Sequence, residues 1–135
     1  ALTLGAQGVM MASRFIATTE CDVHPNIKDE LIRRQEYETR IFGKSIGLQG
    51  RALKNKIIAE VLEAEARGGG FEALIPLING QRIKAAWESG DVEDAPLMVG
   101  QSIGLIHEVV SCAALLKAMH DEAQEHLKKA VSLFS

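Results

Sequence analysis

The sequence predicts an α/β fold that is itself mainly helical, with one buried strand near its start. Three observations predict it. Residues 8–13, "GVMMAS", form a short apolar run bounded by Gly8 and by the small pair Ala12-Ser13, the pattern of a parallel strand covered on both faces. Apolar residues recur at helical spacing along residues 52–66 and again along 111–134. Glycine-rich breaks, above all Gly68-Gly69-Gly70, separate the periodic stretches.

Taken in order, "ALTLGA" reads as the last turns of a helix ending at Gly5, so the chain is expected to be the C-terminal part of something longer. The strand over 8–13 follows, then the loop "TTECDVHPN". Asn26 is positioned to cap a helix over "IKDELIRRQ", with Ile27, Leu31 and Ile32 on its apolar face. "TRIFGKSIGLQGR" suits a short strand plus turns. A helix over 52–66 carries the stripe Ile57, Ile58, Val61 and Leu62 and stops at the glycines. Residues 71–78 and 81–87 read as two further helical pieces, broken near Pro76 and Asn79-Gly80. "SGDVEDAP" is a loop, and "LMVGQSIGLI" is apolar with two glycines. The last helix runs from a cap at Ser111 to about Phe134, with Leu116, Met119, Ala123, Leu127, Ala130 and Phe134 recurring along it.

Composition narrows the function classes. The chain has 135 residues, one domain's worth, and a formal net charge of −3, which does not suggest nucleic-acid or anionic-membrane binding. Aromatic residues make up 4%, too few for base-stacking platforms. Cys21 and Cys112 are too few for a disulfide scaffold and read as reduced thiols of a cytoplasmic protein. No apolar run reaches membrane-spanning length.

A buried parallel strand that ends in small residues leaves its C-terminal backbone open to close approach. In (β/α)8 barrels ligands sit at those strand ends, and the loops after the last two strands often bind a phosphate. Small side chains at Ala12 and Ser13 admit an anion to the turn amides, and the Ser13 hydroxyl adds a donor. On spacing alone, plain core remains the competing reading.

Several motifs then point to one family. "ALTLGAQGVMMASRFIATTEC", residues 1–21, resembles the last βα segment of the nitronate monooxygenases, also called 2-nitropropane dioxygenases. The likeness continues in order through "HPNIKDEL", "RALKN", "VLEAEARGG", "GDVEDAPLMVGQSIGLI" and the closing helix. A sister family, the flavin-dependent enoyl-acyl-carrier-protein reductases, is similar in the "RALKN" and "GQxxGLI" segments. The resemblance implies part of an FMN-binding TIM barrel holding its last strand, with a helix-rich domain beside it. Residues 1–24 would be that strand and the FMN-phosphate loop, 25–106 a helical substrate-side domain, and 107–135 a helix packing on the barrel. It also implies that Met10, Met11, Ala12 and Ser13 bind the FMN phosphate region. Here the family's usual Gly is Ala12, its Thr is Ser13, and Met10 stands where Gln is frequent. Arg14 is open to two roles, a peripheral phosphate contact or a salt bridge at the barrel rim.

The activity implied is FMN-dependent oxidation of alkyl nitronates by molecular oxygen, with enoyl-acyl-carrier-protein reduction or a non-catalytic helical interaction module as alternatives. The family's catalytic histidine and its glycine-rich phosphate loop are expected upstream, so no catalytic residue is assigned within this chain. His24, His107, His120 and His126 match neither that base nor any metal-ligand spacing, and no metal is expected. Glu60, Glu63 and Glu65 read as a solvated helix face, and Asp91, Glu93 and Asp94 as a loop. Gly100-Gln101 and Gly104 suit either a loop over the site's mouth or close helix packing; Gln101 and Met98 are candidates for a substrate cleft. The exposed strand edge is expected to favour self-association as a homo-oligomer.

Overall fold

The computed structural model describes residues 1–134. The chain opens with a 3-10 turn, Leu2–Leu4, closed by Gly5 in the left-handed region at φ 90°. Helices and strands then follow as α1 (Ser13–Ile16), α2 (Pro25–Arg33), β1 (Thr39–Phe42), β2 (Gly50–Leu53), α3 (Lys56–Ala66), α4 (Phe71–Ile78), α5 (Gly80–Ser89) and α6 (Cys112–Ser132). Further 3-10 helices span Glu36–Glu38, Lys44–Ile46 and Gln101–Leu105.

The mainly helical character is as expected, but the strand over 8–13 needs correction. Residues 8–12 have no ladder partner among the described residues, and Ser13 begins α1 rather than ending a strand. A strand exists by virtue of a neighbour that takes its N–H and C=O groups. Without one, Val9 and Met10 stand 64% and 99% exposed. The two-stranded sheet found among the described residues lies elsewhere: β1 and β2 pair antiparallel, with Thr39 opposite Leu53 and Phe42 opposite Gly50.

Helix ends account for the next three differences. α2 is capped by His24, not Asn26: the His24 Nδ1 accepts from the Asn26 N–H at 3.2 Å, and Pro25 takes the first helical position, where its missing N–H costs nothing. α3 begins at Lys56, not at residue 52, because Ala52 and Leu53 belong to β2 and Asn55 caps the helix through Oδ1 on the Ile58 N–H at 3.1 Å. Pro76 lies inside α4, and the break to α5 falls at Asn79, whose Oδ1 accepts from the Arg82 N–H at 2.9 Å. Ser111 caps α6 as expected, accepting from the Ala114 N–H at 3.1 Å. On that helix Leu115 is the buried leucine, whereas Leu116 is 55% exposed.

Two apolar cores share one strand. Ile27 and Leu31 of α2 pack with Val23, Leu53, Leu97, Val99 and Ile103. Phe42, Ala52, Ile57, Ile58, Val61 and Leu74 form the other core. Adjacent residues of β2 enter different cores because successive side chains on a strand point to opposite faces. Glu30 is also buried; Arg33 (3.1 Å) and Arg34 (2.5 Å) pair with its carboxylate, and Arg34 reaches on to Glu38 at 2.8 Å.

Beyond β2 the chain travels through α3, α4 and α5 and returns antiparallel along the strand's other edge. Leu53 N–H donates to Leu97 O (3.0 Å), Val99 N–H donates to Arg51 O (3.1 Å), and Met98 bridges Ala52. Asn55 fastens this return, its Nδ2 donating to Val92 O and Ala95 O at 2.8 Å each.

Glu65 departs from the solvated face expected of it. Its carboxylate accepts from the Gly43 N–H (3.0 Å), the Ser45 N–H (2.9 Å) and the Ser45 hydroxyl (2.9 Å), locking α3 to the hairpin turn. Burial works to raise its pKa, but the hydrogen bonds from Ser45 and Gly43 together hold it below the ordinary carboxylate value. A folded-state pKa that is depressed adds stability above the unfolded value, and that stability is lost as pH falls through it.

Two predictions follow from these locks. Asn55→Ala removes a helix cap and the donors to two carbonyls, so chemical denaturation should show a loss of about 2–3 kcal/mol; a loss under about 0.5 kcal/mol would mean that the return segment is held by other means. Glu65→Gln should lower stability at neutral pH and flatten the acid limb below about pH 4.5, measured by denaturation midpoints against pH. An acid limb identical to the parent's would remove Glu65 from the pH dependence.

Candidate functional site

The return along β2 ends at Gly100, and there the chain meets its own beginning. Gly100 N–H donates to the Ser13 Oγ at 3.0 Å, across 87 positions of sequence. Ser13 is held for this by α1, whose first turn is closed by Phe15 N–H and Ile16 N–H donating to Ala12 O. Ala12 has a negative φ of −119° (ψ −59°), outside the left-handed region, so this backbone does not require glycine there.

Arg14, the next residue, reaches the far end of the same segment. Its Nη1 donates to Ala17 O at 3.0 Å and to Glu108 O at 3.3 Å. These bonds tie α1 to the chain after the Gln101–Leu105 helix, and among the described residues Arg14 pairs with backbone carbonyls in place of a rim carboxylate. Thr18 bridges Val110 in parallel, Thr19 N–H donates to Val110 O at 3.0 Å, and Glu20 accepts from the Cys112 N–H at 2.9 Å with both oxygens. The Cys112 N–H bond, followed by the Thr19 hydroxyl, holds the Glu20 pKa below its ordinary value. The start of α6 is thereby fixed beside α1.

Between these parts lies an open cleft of about 670 Å³. Met10, Met11, Ala12, Ser13 and Arg14 form one side, Gly100, Ser102, Leu105 and Ile106 a second, and Leu115, Met119 and Glu122 of α6 a third. The four residues expected at the phosphate region are thus brought together on one wall. Gln101 lies between two lining residues but does not itself line the cleft. Met98 is not among the lining residues; it lies over β2, its Cε 2.8 Å from where a Cβ on Gly50 would sit.

The sequence pointed to this segment through Gly100-Gln101 and Gly104, but not to Ser102, Leu105 and Ile106 as its lining residues. Ser102 and Leu105 belong to a 3-10 turn, and Ile106 closes it; the placement of that turn depends on long-range pairing. Ile103, fully buried, anchors that turn in the core. Gly104 serves close packing: a Cβ there would collide with the Glu36 carboxylate and lie 3.2 Å from the Glu36 backbone nitrogen.

Chemically, the cleft is an apolar trough with a few polar groups converging at one end, the ordinary make-up of a cofactor site. A hydroxyl oxygen that accepts from Gly100 N–H keeps its own proton to donate. With Ser13, the Arg14 guanidinium and small side chains at positions 12 and 13, the donor set fits a phosphate. Met10, Met11, Leu105 and Leu115 fit an apolar ring system. Both cysteines are free thiols and neither lines the cleft. No helix among the described residues is long and apolar enough to cross a membrane.

The architecture matches part of solved barrel proteins. FabK from Thermotoga maritima superposes with a TM-score of 0.88 at 30% identity, over 97% of this chain and 41% of that one. A mutant of that protein gives 0.77 at 27% identity, over 97% and 39%. The chain thus has the fold of part of a barrel protein, mainly helical with a small sheet. The nitronate monooxygenase family model matches residues 1–122, and the chain belongs to that family. A probable nitronate monooxygenase of Bacillus subtilis is 30% identical over 122 residues, 90% of this chain and 35% of the relative. A Mycobacterium tuberculosis protein described as (3aS,4S,5R,7aS)-5-hydroxy-7a-methyl-1-oxo-octahydro-1H-indene-4-carboxyl-CoA dehydrogenase is 24% identical, covering 98% of this chain and 48% of its own length. The chain therefore spans between a third and a half of the length of these curated relatives.

Proposed function

We propose that this chain supplies part of the FMN site of an oxidoreductase that oxidises alkyl nitronates with molecular oxygen. The observation that carries the proposal is the convergence of Met10–Ser13 with the 100–106 segment in one cleft, in a chain of the nitronate monooxygenase family. FMN, when bound, supplies the redox chemistry. Ser13 would donate to its phosphate, with Arg14 adding positive charge behind. Met10 and Met11 would lie along the cofactor, while Leu105, Ile106, Leu115 and Met119 exclude water. No base for the reaction is assigned to this chain; the family's histidine would be supplied by another part of the full-length protein.

The fold likeness to FabK favours one second reading, FMN-dependent reduction of an enoyl-acyl-carrier-protein thioester. The two readings separate in one assay. The full-length protein should purify yellow and consume oxygen with an alkyl nitronate. NADH-dependent enoyl reduction without nitronate turnover would favour the second reading. The 135-residue chain by itself should retain no stoichiometric FMN and show no nitronate oxidation, since its donors are only part of the expected site.

Ser13 gives the sharper test. In the full-length protein Ser13→Ala should weaken FMN binding by about 1 kcal/mol, and Ser13→Asp by more through charge repulsion. Flavin fluorescence titration measures both. Unchanged affinity in the two variants would remove Ser13 from the site.

A further inference from the structure

Ser13 and Arg14 are adjacent in sequence, yet they hold opposite ends of the segment that forms the cleft's second wall. Ser13 Oγ takes the Gly100 N–H, and Arg14 Nη1 reaches Glu108 O. Between those ties the wall is a stiff unit. Ile103 N–H donates to Gly100 O (3.2 Å), Ile106 N–H donates to Ile103 O (2.9 Å), the Ile103 and Ile106 side chains are buried, and Gly104 packs on Glu36. Ser102 and Leu105 are exposed toward the cleft, and the buried Ile106 forms part of its floor.

We infer that Ser13 and Arg14 are positioning residues that couple occupation of the phosphate end of the cleft to the placement of the 100–108 wall. This rests on the reading that the cleft takes FMN through its phosphate. The Ser13 hydroxyl stands between the two partners: its oxygen accepts from the wall while its proton points to the anion. Donation to a phosphate oxygen makes the hydroxyl oxygen a stronger acceptor, so the bond from Gly100 N–H tightens. Arg14 carries five N–H donors, enough to face an anion while keeping the Glu108 and Ala17 carbonyls. An anion at this end therefore stiffens both ends of the wall. The coupling is reciprocal, because a placed wall also favours the cofactor. Its consequence is order of events: the wall that faces substrate is set only when the cofactor is seated.

The test is amide hydrogen exchange of residues 101–106 in the full-length protein, with and without FMN, alongside flavin fluorescence quenching to follow binding. In the parent, saturating FMN should slow exchange in this segment about 5-fold, the lower end of ordinary coupling. Ser13→Ala at saturating FMN should reduce that slowing to under about 2-fold, and Ser13→Thr should restore it. A merely structural Ser13 would shift exchange equally with and without FMN. FMN binding that leaves the parent's wall unchanged, or slowing that persists in Ser13→Ala, overturns the coupling and leaves the FMN reading standing. Absence of quenching in the parent overturns the FMN reading and the coupling together.

Discussion

Everything at the cleft depends on how residues 97–99 pair with β2. Two backbone hydrogen bonds, Leu53 to Leu97 and Arg51 to Val99, fix the register of the returning chain. A slip of one residue would turn Leu97 and Val99 out of the core and bring Met98 in, a change that apolar burial forbids. With the register fixed, Gly100 arrives opposite Ser13 and Ile103 drops into the core. The wall of the cleft is thus placed by a strand that does not itself line the cleft. Asn55 guards the same register from the other side, since its side chain caps α3 and holds the carbonyls of Val92 and Ala95.

The polar groups divide by what they hold. Glu65 fastens α3 to the hairpin turn, Glu30 joins α2 to the Glu36–Glu38 turn through Arg34, and Glu20 secures the start of α6. Each carboxylate meets N–H donors or guanidinium groups at normal hydrogen-bond range, which is how a structure of this size tolerates acids near its cores. Ser13 differs from them. Its hydroxyl joins two parts of the cleft and still has a proton to give, which makes it the group through which a bound anion would act on the fold.

The helices were largely legible because their signals are local. Ser111 announces α6, the triple glycine ends α3, and residues 71–78 form α4 with the expected bounds. The misreadings arise where a local pattern is ambiguous or a distant partner decides. Ala52 and Leu53 extend the helical stripe of α3, and only the pairing with β1 and 97–99 makes them strand. Asn26 is a common cap, while His24 caps here because Pro25 occupies the first helical position. The run over 8–13 has strand composition, but composition supplies no neighbour to pair with. At the cleft, Met10–Ser13 were found through small residues after an apolar run and through a family resemblance. Ser102, Leu105 and Ile106 were not, because their side of the turn is chosen by Ile103 and Gly104 packing on residues some seventy positions away.

The most direct measurement is a crystal structure of the full-length protein with FMN bound. The predicted result is a phosphate oxygen about 2.7 Å from the Ser13 Oγ, the Gly100 N–H still donating to that same hydroxyl, and the flavin ring running along Met10 and Met11 toward Leu105. A phosphate held elsewhere, with the Ser13 hydroxyl donating only to protein or solvent, would contradict the assignment of this cleft.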